Sequence, residues 1–363
     1  MRVISMEKLE VIALIFTNRC NLNCVFCGRK EDGNAQVNEL PLEFWLKVCK
    51  DAKEMGVKRV NVTGGEIFIR KDIHELIRSL IKDDFIVTIE SNGTLIKDED
   101  IEKFKDYGKN FSISVSLDGA DEKTHDSARG EGNFDKTMRT LQKISEASLN
   151  ARVITVLTKE NYKQIPLIVK KVYEDLHLGF RLLPNIIEYG KGIEACDEYG
   201  VEFKKIEKLL NEFYYEYLRK DDSNKLSVEL NMALMPIDIE NHSICPWGKH
   251  MLGIGENGNV SLCHVSSNDD KFIFGNLKTN SLREIWENNE LLNKFRNMDE
   301  NKLNGICGNC LARDVCRGGC RVHALTKYEN DFYAPDPQCQ DAYEKGLFPE
   351  YAMEDEKRDC LYL

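Results

Sequence analysis

The chain has 363 residues, which at roughly 150 residues per domain suggests about two domains and enough material for a large core. Apolar residues make up 42% and charged residues 31%, a composition that excludes collagen-like and disordered chains and is typical of soluble globular proteins. The formal net charge of −11 argues against nucleic acid as a partner, because binding to phosphate backbones needs a basic surface.

The chain contains 13 cysteines and shows no secretion or membrane signal. Residues 1–10 lack a basic region followed by a long apolar stretch, and the apolar run at 11–16 is too short to cross a bilayer. We therefore expect a cytoplasmic protein with no membrane partner. In that reducing compartment, clustered cysteines are more often metal ligands or catalytic thiols than disulfides.

Up to about residue 215, β-like runs alternate with amphipathic helical patterns, which predicts βαβ units around a parallel sheet. Six units of this kind predict a partial barrel or an open sheet curved toward one. The predicted strands are residues 10–16, 58–62, 85–90, 111–117, 152–157 and 179–183. The predicted helices are residues 42–55, 72–82, 98–107, 134–147, 162–176 and 202–220.

The loops that follow the first four predicted strands are rich in functional residue types. They carry, in chain order, Cys20, Cys24 and Cys27, then Gly64-Gly65-Glu66, then Ser91-Asn92-Gly93, then Asp118-Gly119. Because the carboxyl ends of parallel strands meet at one edge of a sheet, we expect these loops to face the same pocket.

A second cysteine-rich region lies beyond a polar boundary at residues 221–225. Residues 245–339 hold seven cysteines, one predicted hairpin (251–255 and 260–263) around an Asn257-Gly258 turn, and one predicted helix at 282–296. Since regular apolar patterns are scarce here, we expect metal binding to hold this region together.

Cys20, Cys24 and Cys27 are spaced so that three thiolates can reach one cluster while no fourth ligand is nearby in sequence. Four-iron clusters usually have four cysteine ligands, so a compact three-cysteine loop indicates one iron kept open for another ligand. A zinc knuckle or three buried thiols are the alternatives on spacing alone.

The context of this loop resembles the radical S-adenosylmethionine (SAM) superfamily over about residues 10–215. The resemblance rests on the CxxxCxxC spacing with Phe26 before the last cysteine, on the Gly-Gly-Glu element at 64–66, and on Ser116 to Gly119 after the fourth strand. Ile67 departs from the proline that is frequent after that element. The family fold implies an α/β chain with a partial (β/α)6 TIM-like barrel.

By the same resemblance, the open iron chelates the amino and carboxylate groups of SAM. The other cofactor contacts that it implies are Gly64, Gly65 and Glu66 at the amino group, Phe26 at the adenine, Ser116 at the ribose, and Asn92 and Arg129 as further polar contacts. Arg129 suits a carboxylate because a guanidinium can bind it in a bidentate manner, although a surface arginine in a turn is the alternative.

The second cysteine set resembles the C-terminal SPASM extension of radical SAM enzymes, which binds up to two auxiliary [4Fe–4S] clusters. The resemblance implies one cluster ligated by Cys307, Cys310, Cys316 and Cys339, and a second with three ligands, Cys245, Cys263 and Cys320. Together with the first loop, this predicts three [4Fe–4S] clusters. A structural zinc site is the alternative, because C-x-x-C pairs are common in zinc ribbons.

The fourth ligand of the second auxiliary cluster is left open. Some relatives carry a cysteine where this chain has Met251, so the cluster is either open to substrate or closed by His250, His264 or an acidic residue. His264 follows Cys263 and is the candidate general base, with a simple hydrogen-bonded histidine as the alternative.

Cys49 is expected in the core. Cys196 and Cys360 are assigned no role.

The resemblance implies an oxidoreductase that reductively cleaves SAM to a 5′-deoxyadenosyl radical, which then abstracts hydrogen from a substrate. The leading hypothesis is modification of a ribosomal peptide or protein side chain by a thioether, a carbon–carbon crosslink or oxidation. A flavodoxin- or ferredoxin-type electron donor is the expected partner. Because only nineteen residues precede Cys20, leader recognition is expected to need a separate protein or another surface.

Two alternatives belong to different functional classes. One is a small-molecule reaction such as oxidative decarboxylation of a tetrapyrrole in the haem pathway, and the other is an iron–sulfur electron carrier without turnover. The predicted organisation is a radical SAM core at 1–215, a bridging segment at 216–244, a SPASM domain at 245–345 and a tail at 346–363.

Overall fold

The structure is a computed structural model that describes residues 8–28, 39–186, 190–221, 223–229, 231–234, 245–246, 248–329 and 331–354. Much of the predicted bridging segment, including residues 235–244, lies outside the described part. The end of the predicted tail, including Cys360, lies outside it as well.

Ten strands within the described residues form one sheet in the order β10-β9-β8-β1-β2-β3-β4-β5-β6-β7. The strands are β1 (Val11–Thr17), β2 (Arg59–Gly64), β3 (Ile86–Ser91), β4 (Phe111–Ser116), β5 (Ala151–Val156), β6 (Gly179–Leu183), β7 (Leu226–Val228), β8 (Met251–Ile254), β9 (Asn259–Ser261) and β10 (Ile273–Asn276). Strands β1 to β7 pair in parallel, so the predicted parallel sheet and its six strands are confirmed.

Helices connect and cover these strands. They are α1 (Leu42–Glu54), α2 (Ile73–Lys82), α3 (Asp98–Asp106), α4 (Glu122–Arg129), α5 (Asn133–Glu146), α6 (Ile165–Val169), α7 (Gly192–Tyr199), α8 (Phe203–Glu216), α9 (Leu282–Asn288), α10 (Glu290–Arg296), α11 (Gly305–Gly308), α12 (Arg313–Cys316), α13 (Arg321–Lys327) and α14 (Pro337–Glu344). Apolar residues at helical spacing, such as Leu76 and Leu80 of α2, are buried against the sheet. This is the predicted α/β partial barrel.

Two predicted helices are interrupted. The predicted helix at 162–176 continues from α6 into a π-helical turn, Lys170–Asp175. The predicted helix at 282–296 is two helices, because Asn289 ends α9 and caps α10. Its Oδ1 accepts from Leu292 N at 2.8 Å, and its Nδ2 donates to Phe274 O at 2.6 Å.

The predicted hairpin is confirmed as β8 and β9, but β8 also pairs in parallel with β1. Val11 is the register partner of Met251, and Leu14 is that of Ile254. The hairpin thus covers the edge of β1 that would otherwise be open, which makes the cysteine-rich region continuous with the core sheet. No helix among the described residues is both long and apolar enough to cross a membrane.

Candidate functional site

The loop after β1 places three cysteines at the carboxyl edge of the sheet. Cys20 is exposed, while Cys24 and Cys27 are half-buried. Val25 N donates to Ala128 O at 3.1 Å, which docks the loop on the last turn of α4. The three thiols therefore belong to one short segment held between β1 and α4.

The Gly-Gly pair after β2 allows that loop to touch the cysteine loop. A Cβ at Gly64 would lie 2.3 Å from Thr17 O, and one at Gly65 would lie 2.2 Å from Arg19 O. Gly65 N donates to Thr17 O and Glu66 N to Arg19 O, both at 2.8 Å. Only glycine permits so close a backbone approach, so this pair holds the shape of the cysteine loop.

Glu66 is fully buried between the loops that follow β2 and β3. Its carboxylate accepts from Phe68 N at 3.1 Å, Ser91 Oγ at 2.9 Å and Asn92 N at 2.8 Å. Burial raises the pKa of Glu66, and these hydrogen bonds oppose the increase. The carboxylate is directed at protein donors and positions both loops, while its predicted contact with the SAM amino group stays a prediction.

Asn92 links the third strand to the cysteine loop. Its Nδ2 donates to Asn21 Oδ1 at 3.0 Å and lies 4.0 Å from Cys20 Sγ, while its Oδ1 accepts from Thr94 N at 2.8 Å. The side chain is therefore placed beside the first thiol, at the edge where Ser116 ends β4.

Arg129 is buried at the end of α4 and forms an ion pair with the buried Asp118. Its Nη1 lies 3.8 Å from Cys24 Sγ, and its guanidinium lies 5.5 Å from the centre of the Phe26 ring. Burial acts to lower the pKa of Arg129, but the charges of Asp118 and Cys24 outweigh it and raise that pKa. The site thus holds a fixed cation next to the cysteine loop, not a surface arginine.

His125 was not identified from the sequence. It is fully buried on α4, one turn before Arg129, and its Nδ1 accepts from Asp118 N at 3.1 Å. Burial lowers the pKa of His125 to about 4, so the ring is neutral at pH 7. The four-residue spacing between His125 and Arg129, which puts both on one helix face, is the signal that could have found it.

Four of the C-terminal thiols surround one cavity. Cys307, Cys310, Cys316 and Cys339 line it together with Asp336, whose N donates to Cys307 Sγ at 3.3 Å. Burial raises the pKa of Cys307 to about 12. The thiol is therefore protonated in the absence of metal, and metal binding must release its proton.

Cys320 lies outside that cavity and close to Cys263. Burial raises the pKa of Cys320 to about 12, and the charge on Cys263 adds to the increase. Cys245 is exposed. The structure thus groups four thiols in one place and Cys263 near Cys320 in another, and the predicted ligand sets remain predictions.

The buried cation Arg321 is suited to negatively charged clusters at these two groups of cysteine thiols. It is fully buried, donates to Gly318 O at 2.9 Å and Ala334 O at 2.6 Å, and its Nε has no partner among the described residues. Burial lowers its pKa, while negative charge on Asp336 and Cys307 opposes the decrease. A buried cation with an unused donor suits thiolate-ligated iron–sulfur clusters, whose sulfurs accept hydrogen bonds. Nowhere in the described ranges do three His, Cys, Asp or Glu side chains lie close enough to hold a single metal ion.

The remaining candidate residues lie in different parts of the structure. His250 precedes β8, where its carbonyl accepts from Val11 N at 2.9 Å, at the opposite end of β1 from the cysteine loop. The backbone of His264 lies against Gly253 of β8, where an added Cβ would be 2.8 Å from His264 N. Cys49 is buried in the core, as predicted. Cys196 donates to Ile186 O at 3.1 Å.

Comparison with known proteins identifies both regions. Residues 14–172 match the family model of the radical SAM superfamily, and residues 245–311 match that of the SPASM iron–sulfur cluster-binding domain. The chain is 28% identical over 358 residues to an AdoMet-dependent heme synthase of Methanosarcina barkeri, covering 91% of this chain and 96% of the relative. It is also 28% identical over 339 residues to the mycofactocin maturase MftC of Mycolicibacterium smegmatis, covering 90% and 81% of the two chains.

Among solved structures, Streptococcus suis SuiB bound to the precursor peptide SuiA has a TM-score of 0.75 at 23% identity, over 92% of this chain and 76% of SuiB. This likeness establishes the fold. The cofactors of the two matched domains are SAM with a [4Fe–4S] cluster, and auxiliary iron–sulfur clusters. The chain therefore belongs to the radical SAM oxidoreductases that carry a C-terminal SPASM domain.

Proposed function

We propose that this enzyme modifies a side chain of a ribosomal peptide or protein by forming a thioether or carbon–carbon crosslink, or by oxidation. The observation that carries this proposal is the similarity to a mycofactocin maturase through both domains. The SuiB fold, seen with a precursor peptide, adds support. We infer that the enzyme works in the cytoplasm, where its cysteine ligands stay reduced.

We propose the following residue roles at the carboxyl edge of the sheet. Cys20, Cys24 and Cys27 hold a [4Fe–4S] cluster and leave one iron for SAM. When bound, the cluster and SAM together would supply the carbon-centred radical chemistry that removes hydrogen from the substrate. The proposed cofactor contacts are Gly64, Gly65 and Glu66 at the amino group, Asn92 and Arg129 as polar contacts, Phe26 at the adenine and Ser116 at the ribose.

The protein's own groups position this chemistry. Glu66 fixes the loops after β2 and β3 through its buried hydrogen bonds. Arg129 places a permanent positive charge beside Cys24, which offsets the charge of the cluster's thiolates. His264, next to the predicted ligand Cys263, is the proposed base that takes a proton from the oxidised substrate.

Two auxiliary [4Fe–4S] clusters complete the proposed site. Cys307, Cys310, Cys316 and Cys339 ligate the first, and Cys245, Cys263 and Cys320 supply three ligands to the second. A flavodoxin- or ferredoxin-type protein is the proposed electron donor, and a separate protein is proposed to recognise the peptide leader.

A second candidate function is oxidative decarboxylation of a tetrapyrrole. The observation that favours it is the similarity to a heme synthase over 96% of that protein's length. Both candidates share the radical-generating site and differ in the substrate that reaches it and in the bond that is changed.

The test is anaerobic reconstitution with iron and sulfide, followed by reaction with SAM, dithionite and the peptides encoded beside the gene. Mass spectrometry is expected to show 5′-deoxyadenosine together with a modified peptide. A Cys20, Cys24 and Cys27 to Ala triple variant is the control and is expected to lose both products. SAM cleavage that leaves every peptide unmodified would overturn the proposal, and decarboxylation of an added porphyrin would establish the second candidate.

A further inference from the structure

The inner face of the barrel carries arginines on neighbouring strands. Phe180 of β6 packs against Phe213 of α8, with ring centres 5.9 Å apart, so the next residue, Arg181, lies on the opposite, inner face. The register pairs Arg181 with Ile154 of β5. Arg152, two residues before Ile154, therefore shares this inner face with Arg181.

Arg152 has positively charged neighbours. Its side chain makes no hydrogen bond or ion pair with any residue in the described part of the chain, whereas Arg181 pairs with Glu229 at 2.5 Å. Arg152 is exposed in the structure, yet partial loss of surrounding water and the like charges of Arg181 and Arg59 lower its pKa, and only Glu90 opposes this. A guanidinium in this position is stabilised by any added negative charge.

A glycine on the neighbouring strand leaves space beside the Arg152 side chain. Gly179 is the register partner of Arg152 on β6, and a Cβ at Gly179 would lie 3.1 Å from Arg152 Cβ. The glycine thus keeps the inner face open beside Arg152, so a ligand group can approach it from the barrel interior.

Two carboxylates near the arginine pair also neighbour the two cysteine-bearing parts of the site. Toward β1, Glu90 accepts from Thr63 Oγ1 at 2.9 Å, and Thr63 directly precedes the Gly-Gly pair. Toward the C-terminal region, burial raises the pKa of Cys263, and the charge of Glu229 adds a smaller increase.

We propose that Arg152, assisted by Arg181, binds a carboxylate of the substrate inside the barrel. The inference rests on the proposed radical reaction and adds the chemical class of the substrate. A planar guanidinium binds a carboxylate with two parallel hydrogen bonds, and Arg152 makes no such pair with a described residue. The carboxylate belongs either to an acidic or C-terminal residue of a peptide or to a propionate of a tetrapyrrole.

The experiment measures binding to the reconstituted enzyme with two pairs of probes. The first pair is a peptide encoded beside the gene and a form of it whose carboxylates are replaced by amides, measured by fluorescence anisotropy. The second pair is coproporphyrin and its tetramethyl ester, measured by the shift of the Soret band. The variants are Arg152→Gln and Arg152→Lys, with the surface change Arg283→Gln as the matched control.

Arg152→Gln is expected to weaken binding of the carboxylate form by about 10- to 100-fold, because a charged hydrogen-bonded pair contributes about 1.5–3 kcal/mol. Arg152→Lys is expected to bind the carboxylate form with an affinity between those of the wild type and Arg152→Gln, since lysine keeps the charge but loses the bidentate geometry. Arg283→Gln is expected to match the wild type. Equal iron content in all variants shows that the fold is retained.

The outcomes separate this inference from the proposed function. If the peptide is modified but neither its carboxylates nor Arg152 affects binding, the inference is wrong while the proposed function stands. If only coproporphyrin binds, and does so through Arg152, the inference stands and the peptide proposal fails. If the wild type binds the acid and the neutral form of both probes equally, the inference is wrong for either substrate.

Discussion

The backbone N–H of Asp336 donates to the sulfur of Cys307 at 3.3 Å. The carboxylate of the same residue accepts from the N–H of Cys320 at 3.1 Å, so Asp336 connects the two groups of C-terminal thiols. Its other oxygen accepts from Asn231 Nδ2 at 2.7 Å and from Cys339 N at 3.3 Å. The buried carboxylate of Asp336 therefore accepts hydrogen bonds from backbone N–H groups in both predicted auxiliary sites.

Changing Asp336→Asn is expected to destabilise both auxiliary sites. An amide keeps one acceptor oxygen but turns an NH2 group toward backbone donors. Buried groups are then left unpaired, which costs about 1–3 kcal/mol of stability. Three four-iron clusters predict about twelve irons per wild-type chain, and the variant is expected to hold fewer after the same reconstitution. Iron and sulfide analysis measures this. The exposed change Asp341→Asn is the control, and equal iron in all three proteins would contradict the prediction.

Arg321 is expected to raise the reduction potential of the auxiliary clusters. A buried positive charge beside a cluster stabilises the reduced, more negative state, and net charge and hydrogen bonds to sulfur are known determinants of cluster potential. Replacing Arg321→Met is therefore expected to make the auxiliary potentials more negative. A redox titration followed by electron paramagnetic resonance measures them. Arg321→Lys, which keeps the charge, is expected to recover part of the shift, and unchanged potentials in the methionine variant would refute the role.

The parts of this molecule that were predicted from the sequence depend on local pattern. The six parallel strands follow from short apolar runs, and the shared edge of Cys20, Glu66 and Asn92 follows from the rule that parallel strands end together. The pairing of β8 with β1 could not be predicted in this way. It joins Met251 to Val11, residues far apart in the chain, and no local signal encodes that choice.

The supporting residues were missed for a related reason. Asp336, His125 and Arg321 are charged or polar residue types that are normally exposed, and nothing in their immediate neighbourhood indicates that they are buried. Their environment is created by segments that meet only after folding, as when Ala334 and Gly318 bring their carbonyls to Arg321. Sequence patterns identified the proposed ligands, and the structure was needed to find what holds them.

His125 is expected to make the protein less stable in mild acid. Its pKa is lowered by burial from 6.5 to about 4, so the folded state binds fewer protons than the unfolded state between these values. Stability from this group is complete above pH 6.5 and is lost as the pH falls toward 4, by about 2 kcal/mol between pH 7.5 and pH 5. Urea unfolding of wild type and His125→Gln at both pH values measures the difference. A variant with the same pH dependence as the wild type would exclude His125 as its source.

Gly65→Ala is expected to abolish SAM cleavage by displacing the cysteine loop. The added Cβ would lie 2.2 Å from Arg19 O, a backbone atom that cannot move without shifting the segment leading to Cys20. Gly56→Ala is a control for a glycine at which nothing lies within 4 Å of the added Cβ, although its positive φ of 91° carries a modest strain. The measurement is 5′-deoxyadenosine formed with dithionite, together with iron per chain. We expect the Gly65 variant to lose about four irons, those of one cluster, and all SAM cleavage, while the Gly56 variant keeps both. Normal cleavage by Gly65→Ala would show that the close contact between the two loops is not needed for the radical-generating site.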